Sequence, residues 1–252
     1  MSFKQFFLCC CFFIFSNGAN SAGEFVYVRE VPIQNGDFKK LLTNASDEIL
    51  NLVTLLNSSI DIPKKIKIVS VSETGPEFDA QFNKILMPDV FVIDVYQLFK
   101  EAQYVTTEEE LIGVTMDVVL HTLYHEVGHA LVYLLDLPIT GKEEDAVDSL
   151  ATILILMTYD EGDEIALSAA DSFALLDDKI DEFDEVEFWD EHSLDAQRFY
   201  NTVCLIYGSN PERYQKLITN LEITDDRADL CVEDYSREER AWLKLLNSYF
   251  KK

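Results

Sequence analysis

The sequence predicts an α+β fold, in which a small N-terminal β-sheet precedes a predominantly helical body. Two early segments, residues 25–28 and 66–71, consist largely of β-branched and aromatic residues, as strands do. Most of the later chain instead carries apolar residues three or four positions apart, which is the period of a helix. Since 48% of the 252 residues are hydrophobic and 26% are charged, the composition predicts a globular protein.

The first part of the chain is expected to combine strands with one helix. After the first strand, residues 37–56 place apolar side chains three, four and seven positions apart, which predicts an amphipathic helix. The second strand follows. Residues 83–87 and 91–95 lie on either side of Pro88 and predict either one or two further strands or a passage from a strand into a helix.

The clearest helix is predicted over residues 107–137. Thr107 and Glu110 form a capping box at its start, and Pro138 follows its last periodic residue. Its side chains are apolar on nearly all sides, so we expect the helix to be buried. Acidic residues and three histidines within it argue against a membrane span.

The C-terminal half is expected to continue as helices. A turn at residues 138–141 leads into a predicted helix over residues 142–157. The acidic run over residues 177–191 lacks the glycine and the alternating spacing of a calcium-binding loop, so we interpret it as a solvated surface. Three further helix starts are predicted: Ser193 as the cap of a helix ending near Gly208, Asn210 with Pro211, and Ser236 with Glu239.

The first residues have the layout of a secretory signal peptide. A positively charged residue precedes an apolar run over residues 6–15, and small or polar residues follow, with cleavage expected after Ser21 or Ala22. The apolar run is too short for a stable membrane anchor. We therefore predict a signal peptide at residues 1–22, a single domain at residues 23–252, and a secreted or periplasmic location.

The charge balance excludes one class of partner. Lys and Arg number 20 against 46 Asp and Glu, which gives a formal net charge of -26 at pH 7. A field of this sign repels phosphate backbones and anionic lipid headgroups. We therefore expect no nucleic-acid partner and no attachment to an anionic membrane, and the composition predicts no particular oligomeric state.

Two cysteines remain after removal of the signal peptide. Of the five cysteines, three lie within the apolar run near the N-terminus, which leaves Cys204 and Cys231. An even number in an oxidising compartment favours pairing, so we predict a disulfide between them. The alternative is two free buried thiols, and metal binding is disfavoured because neither belongs to a CxxC pair.

The long helix carries the motif HEVGH at residues 125–129. His125 and His129 are four residues apart, so they lie on one helical face, about 6 Å apart along the axis, and can reach one cation. Glu126 projects toward the same cleft and can take a proton from water bound to that cation. The alternative is a buried helix with two core histidines. His121 lies about 12 Å along the axis from His129, so we interpret it as a core or ligand-supporting histidine.

The next helix offers a third ligand. A catalytic zinc site needs three protein ligands and one open position. Glu144 and Asp148 share one helical face, so Glu144 can bind the metal while Asp148 accepts the outer N–H of a ligand imidazole. The preceding turn lets this helix fold back antiparallel to the first. Glu143 lies about 100° around the helix, and we interpret it as an acid that stabilises the helix N-terminus.

Beyond these spacings, the sequence resembles a bacterial family of proposed metallopeptidases whose function is not established. The resemblance covers most of the mature chain. It is carried by residues 125–131, 137–148 and 189–201 and by the segments around Cys204 and Cys231. The chain also resembles the thermolysin-like gluzincins in its HExxH motif followed by ExxxD, with a shorter link between the two motifs than most of those enzymes have.

The resemblance implies a zincin-like active-site helix and one bound zinc ion. By this resemblance, His125, His129 and Glu144 are the metal ligands, Glu126 is the general base that activates a water molecule, and Asp148 supports a ligand imidazole. It implies an exported zinc-dependent peptidase that hydrolyses peptide bonds in a peptide or protein substrate.

Two downstream residues complete the predicted site. Gluzincins use a downstream His or Tyr to stabilise the tetrahedral intermediate, so His192 is the candidate for that role, with a structural role as the alternative. Arg198 is a weaker candidate for binding a carbonyl or carboxylate of the substrate. Two other functional classes stay open: an inactive zinc-binding structural protein and a zinc hydrolase of a non-peptide amide.

Overall fold

The computed structural model describes residues 23–34, 36–72, 75–180 and 187–251. The predicted signal peptide at residues 1–22 lies outside the described residues. Helices dominate the described part, and one small sheet lies near its N-terminal end, which confirms the predicted α+β class. No helix among the described residues combines the length and the apolar character needed to cross a bilayer.

Within these ranges the sheet has four strands in the order β1-β2-β4-β3. β1 (Phe25–Arg29), β2 (Ile66–Val71) and β4 (Lys84–Pro88) run parallel, and β3 (Glu77–Asp79) pairs antiparallel with β4. Parallel neighbours need a crossover connection, and between β1 and β2 this is α1 (Lys39–Ser59), the predicted amphipathic helix. β3, which the sequence did not predict separately, forms one edge of the sheet.

The segment around Pro88 passes from a strand into a helix. β4 ends at Pro88, and α2 (Asp89–Glu101) begins at the next residue. Pro88 has extended backbone angles of φ -72° and ψ 140°, which suit both the end of a strand and the residue before a helix. Of the two alternatives left by the sequence, the strand-to-helix passage is confirmed, and a strand at residues 91–95 is wrong.

The long helix α3 (Glu108–Leu135) contacts most other elements of the molecule. The predicted capping box is present: Thr107 Oγ1 accepts the backbone N–H of Glu110 at 3.2 Å, and Glu110 Oε2 accepts that of Thr107 at 3.0 Å. α3 packs against α1, α2, α4 (Glu143–Thr158), α5 (Gly162–Asp177), β3 and β4. It is therefore the central, buried helix that its apolar sequence predicted.

The start of helix α6 (Asp195–Ser209) corrects one prediction. Ser193 does not cap this helix, because its hydroxyl donates to Asp145 Oδ1 at 2.6 Å and Leu194 is the capping residue. At this helix start, Gln197 accepts the backbone N–H of Leu194 at 3.2 Å. Ser193 thus joins the loop before α6 to the first turn of α4.

Of the last two helices, the first begins at the residue that the sequence predicted and the second begins earlier. α7 (Pro211–Asn220) begins where predicted, and the Asn210 side chain accepts the N–H of Arg213 at 3.2 Å. α8 (Asp225–Leu246) begins after Thr224, so the predicted start at Ser236 is wrong and lies inside a continuous helix. α8 therefore includes Cys231, which brings that cysteine against α6.

The predicted disulfide is present. Cys204 of α6 and Cys231 of α8 are bonded, and both are buried. They belong to a small apolar cluster, separate from the main core, that is completed by residues of α6, α7 and α8. The bond therefore ties the C-terminal helix to the helix that carries Arg198.

Candidate metal centre

The HEVGH motif faces the interior of the molecule. His125 and Glu126 are 4% and 5% exposed, whereas the His129 ring lies nearer the surface. Because the two histidines are one helical turn apart, their rings approach to a centroid distance of 4.8 Å. Their Nε2 atoms are 3.2 Å apart. The motif thus directs one nitrogen of each ring at a common point.

Helix α4 supplies the third group because it packs closely against α3. Gly128 makes this possible, since a Cβ at this position would lie 2.9 Å from Val147 Cβ. α3 ends at Leu135, its C-cap Asp136 has a φ of 50°, and the chain then turns back into α4. The first turn of α4 consequently carries Glu144 to the face of α3 that holds the two histidines.

Three ligand atoms form a nearly equilateral triangle. Glu144 Oε2 lies 3.1 Å from His125 Nε2 and 3.2 Å from His129 Nε2, which matches the distance between the nitrogens. Atoms bound about 2.0–2.1 Å from a tetrahedral ion lie roughly 3.3 Å from one another. The donor set therefore fits a tetrahedral ion such as zinc, whose fourth position takes water or substrate.

The outer nitrogens of both imidazoles have carboxylate partners. His125 Nδ1 lies 2.7 Å from Asp148 Oδ1. The sequence predicted this contact, in which Asp148 accepts the outer N–H of an imidazole. His129 Nδ1 lies 2.8 Å from Glu143 Oε1. The sequence interpretation gave Glu143 only a helix-end role and missed this contact. Each carboxylate holds its ring with Nδ1 as the donor, which leaves Nε2 for the metal.

The electrostatics of the cluster favour a cation. Burial alone would lower the pKa of His125, but its hydrogen bonds to Asp148 and Glu144 raise this pKa to about 9. Burial would raise the pKa of Glu144, yet hydrogen bonds from His125, His129 and His192 hold it well below the usual range of a carboxyl. The negative charge of Glu144 therefore stabilises positive charge at the point where the imidazoles meet.

Asp148 has a second partner in Arg198. Arg198 Nε donates to Asp148 Oδ2 at 2.7 Å, and Nη2 donates to Oδ1 at 2.9 Å. Burial would raise the pKa of Asp148, but the hydrogen bonds from His125 and Arg198 hold it well below its usual range. The sequence offered Arg198 as a weaker candidate for binding the substrate, and in the structure two of its donors contact a carboxylate behind the proposed ligand.

His121 lies in the core one turn before the motif. It is 2% exposed, and its Nε2 lies 3.1 Å from Thr152 Oγ1. Burial lowers the pKa of His121 to about 4. It does not belong to the group of possible ligands, which among the described residues comprises His125, His129 and Glu144. Of the two alternatives that the sequence left for His121, a core or a ligand-supporting histidine, the structure shows a buried histidine of the core.

A comparison with protein families adds an independent observation. Residues 33–246 match a family described as "Putative metallopeptidase". The chain belongs to this family. The match includes α3 and α4, so all three proposed ligands lie in the part of the chain that matches the metallopeptidase family. Neither the search of curated proteins nor that of solved structures gave a match.

In this member of the metallopeptidase family, the loop before α6 brings His192 to the metal centre. Its Nε2 lies 3.0 Å from Glu144 Oε2, and its ring stacks on that of His125 with centroids 6.0 Å apart. Lys142 holds the loop, since its Nζ donates to the backbone oxygens of Asp190 at 3.3 Å and of His192 at 3.2 Å. His192 is therefore beside the ligands without belonging to the ligand group.

A cleft passes over Glu126 and widens on both sides of it. One cavity, of about 560 Å³, is lined by apolar and polar side chains of α2, α3 and α5, together with His192 and Arg198. The other, of about 550 Å³, lies between the β3 region and the His192 loop and includes several glutamates. Pro76, His125, Glu126 and His192 line both cavities. An extended chain could therefore pass the metal centre with side chains on either side.

Proposed function

We propose that this chain is an exported zinc-dependent peptidase. The observation that carries the proposal is the triangle of His125 Nε2, His129 Nε2 and Glu144 Oε2, next to Glu126 in a cleft that extends to both sides. Membership in the metallopeptidase family supports it. The signal-like composition of residues 1–22 and the disulfide support export.

The proposed zinc ion is held by two histidines and one carboxylate. His125, His129 and Glu144 would bind it, and a single carboxylate keeps the site at one positive charge. When bound, zinc polarises the carbonyl of the scissile bond and lowers the pKa of the attacking water. Asp148 and Glu143 orient the two imidazoles from behind.

Glu126 is the proposed general base. Its side chain is 5% exposed and lines both cavities, so substrate passes beside it. Burial raises the pKa of Glu126, which makes its carboxylate a better proton acceptor than an exposed one. We assign to Glu126 the acceptance of a proton from the attacking water. Its carboxylate then passes that proton to the leaving amide nitrogen.

His192 is the proposed donor to the substrate oxygen. Its contact with Glu144, opposed by burial, raises the pKa of His192, and we assign the Nε2 N–H to the substrate oxygen once Glu144 binds zinc. Because this ring lies beside the ligands at the cleft wall, its N–H can stabilise the negative charge that develops on the carbonyl oxygen.

Replacing Glu126 with Gln separates metal binding from chemistry. The glutamine keeps the size of the side chain but cannot accept the proton. We expect Glu126→Gln to retain one zinc ion per chain, while hydrolysis of unfolded casein falls by about 10²–10⁴-fold. Zinc content is measured by atomic absorption on the purified mature protein. A zinc-loaded wild-type chain that cleaves no peptide, or an active Glu126→Gln variant, would contradict the proposal.

Replacing the two neighbouring glutamates separately tests the ligand assignment. Glu144→Ala should lose the bound zinc, because it removes one of three ligands. Glu143→Ala should retain zinc with an affinity about 10-fold lower, because it removes only the partner of the His129 ring. The assignment is wrong if the Glu143 change releases the metal and the Glu144 change does not.

A further inference from the structure

Arg198 is a positive side chain buried behind the metal centre. It lies on α6, and both its Nε and its Nη2 donate to Asp148. Its guanidinium also lies over the Phe173 ring of α5, 4.0 Å from the centroid. The side chains of Arg198 and Asp148 are only 17% and 13% exposed. The ion pair is thus largely covered by α4, α5 and α6, although Arg198 also lines the cavity that contains Glu126 and His192.

One carboxylate oxygen connects this arginine to a proposed ligand. Asp148 Oδ1 receives Arg198 Nη2 at 2.9 Å and lies 2.7 Å from His125 Nδ1. A carboxylate with one partner can rotate, whereas the forked guanidinium fixes both of its oxygens in one plane. The direction of Oδ1 in turn fixes the plane of the imidazole, because the hydrogen bond to Nδ1 is directional.

We propose that Arg198 is a positioning residue for the metal centre, acting through Asp148 to keep the His125 ring turned with Nε2 toward the ion. This inference rests on the proposed zinc site. It gives Arg198 a role different from substrate binding, because its Nε and Nη2 donors are both used by Asp148.

The chain offers a matched control in Arg29. Arg29 Nη1 donates to both carboxylate oxygens of Asp89, at 3.0 and 2.8 Å, and the two side chains are 17% and 15% exposed. This pair joins β1 to the start of α2, and none of the hydrogen-bond partners of Arg29 is a proposed ligand. Loss of either arginine leaves an aspartate of similar exposure without its ion-pair partner. We therefore expect both variants to lose folding stability in the same way.

The test compares Arg198→Met with Arg29→Met. Arg198→Met should lower the affinity for zinc about 10–100-fold, as loss of groups behind a metal ligand does. It should also change the visible spectrum of the protein loaded with Co²⁺. Arg29→Met should lower the melting temperature but leave zinc affinity and spectrum unchanged. Zinc affinity is measured by competition with a chelating dye on the full mature chain.

Arg198→Lys provides a second variant whose zinc affinity can be measured. It keeps the inference testable if Arg198→Met does not fold. Lysine retains the charge but not the fork, so its zinc affinity should lie between those of wild type and Arg198→Met. A lysine variant with wild-type affinity and spectrum overturns the inference, as do equal affinity losses in Arg198→Met and Arg29→Met. A wild-type chain that binds no zinc is a different outcome, because it removes the proposed function before any variant is compared.

Discussion

Asp117 lies on α3 one turn before His121 and carries a charge that the fold disfavours. Burial raises the pKa of Asp117 to about 6, against the hydrogen bond from Ser168 Oγ at 2.8 Å, which lowers it. The nearby charges of Glu164 and Glu161 raise it further. At neutral pH the folded chain therefore holds a partly buried carboxylate whose charge is less favourable than it is in the unfolded chain.

Replacing Asp117 with Asn should stabilise the protein at neutral pH. A group whose pKa rises on folding contributes stability below its unfolded pKa, and loses that contribution as the pH rises through the folded pKa. Asn keeps an acceptor for Ser168 without the charge, so at about pH 7.5 the free energy of unfolding should increase by about 1–2 kcal/mol after solvent screening. Urea unfolding at about pH 7.5 and pH 4 measures this, and the increase should shrink strongly at the lower pH. An increase independent of pH would contradict the assigned cause.

Individual site residues could be predicted from sequence where one helix determines their geometry. His125 and His129 face the same point because they are four residues apart on a single helix, and the same spacing relates Glu144 to Asp148. The contact of Glu143 with His129 depends instead on the angle at which α4 crosses α3. The spacing of residues within one helix does not give that angle. The sequence predicted an outer partner for only one ligand imidazole, however, and this indicated that a further carboxylate should contact the other ring.

At the scale of elements, the close contact of α3 with α4 positions Glu144, the proposed third ligand. Gly128 lies between the two histidines and faces α4, where a Cβ would lie 2.9 Å from Val147 Cβ and 3.0 Å from its Cγ1. A larger residue would therefore separate the helix that carries Glu144 from the helix that carries the histidines. Gly113 lies on the same helix, and a Cβ there would meet no heavy atom within 4 Å.

Gly128→Ala should therefore weaken zinc binding, with Gly113→Ala as the matched control. We expect about a 10-fold loss of zinc affinity for Gly128→Ala, because displacement of α4 by a few tenths of an ångström disturbs the ligand triangle, with overpacking that costs about 1–3 kcal/mol. Gly113→Ala should stabilise α3 by up to about 1 kcal/mol without changing zinc affinity. Equal zinc affinities in the two variants would show that the contact at Gly128 does not position Glu144.

Elements with a long apolar run or a clear capping signal were predicted, and helix starts without such signals were missed. The long apolar α3 and its capping box could be located from sequence alone. α5 could not, because its buried residues are mostly alanine, serine and glycine, which pack against α3 and α6 without a marked hydrophobic stripe. The start of α8 was missed for a related reason, since its first turns carry mainly charged residues around Ala228 and Cys231.

At the scale of the whole molecule, the C-terminal helices share the main core through Ile206, Trp242 and Leu246 and also form a second, smaller cluster. Their buried cluster is small and contains Cys204 and Cys231. The bridge spans a sequence separation of 27 residues, and it links α8 to α6, from which Arg198 contacts Asp148 at the proposed metal centre. A protein with this bridge needs an oxidising compartment to reach full stability, which agrees with the proposed export.

Replacing both cysteines with serine should lower the free energy of unfolding by about 3–4 kcal/mol, the chain-entropy value for a loop of 27 residues. The variant should still bind one zinc ion, because the three proposed ligands lie on α3 and α4, outside the closed loop. Zinc should recover part of the lost stability, since it binds only the folded chain. Urea unfolding with and without zinc measures both effects, and wild type in reducing agent should behave like the double variant. If reduction leaves the wild-type unfolding curve unchanged, the bridge does not stabilise the C-terminal helices, and the disulfide no longer supports an exported protein.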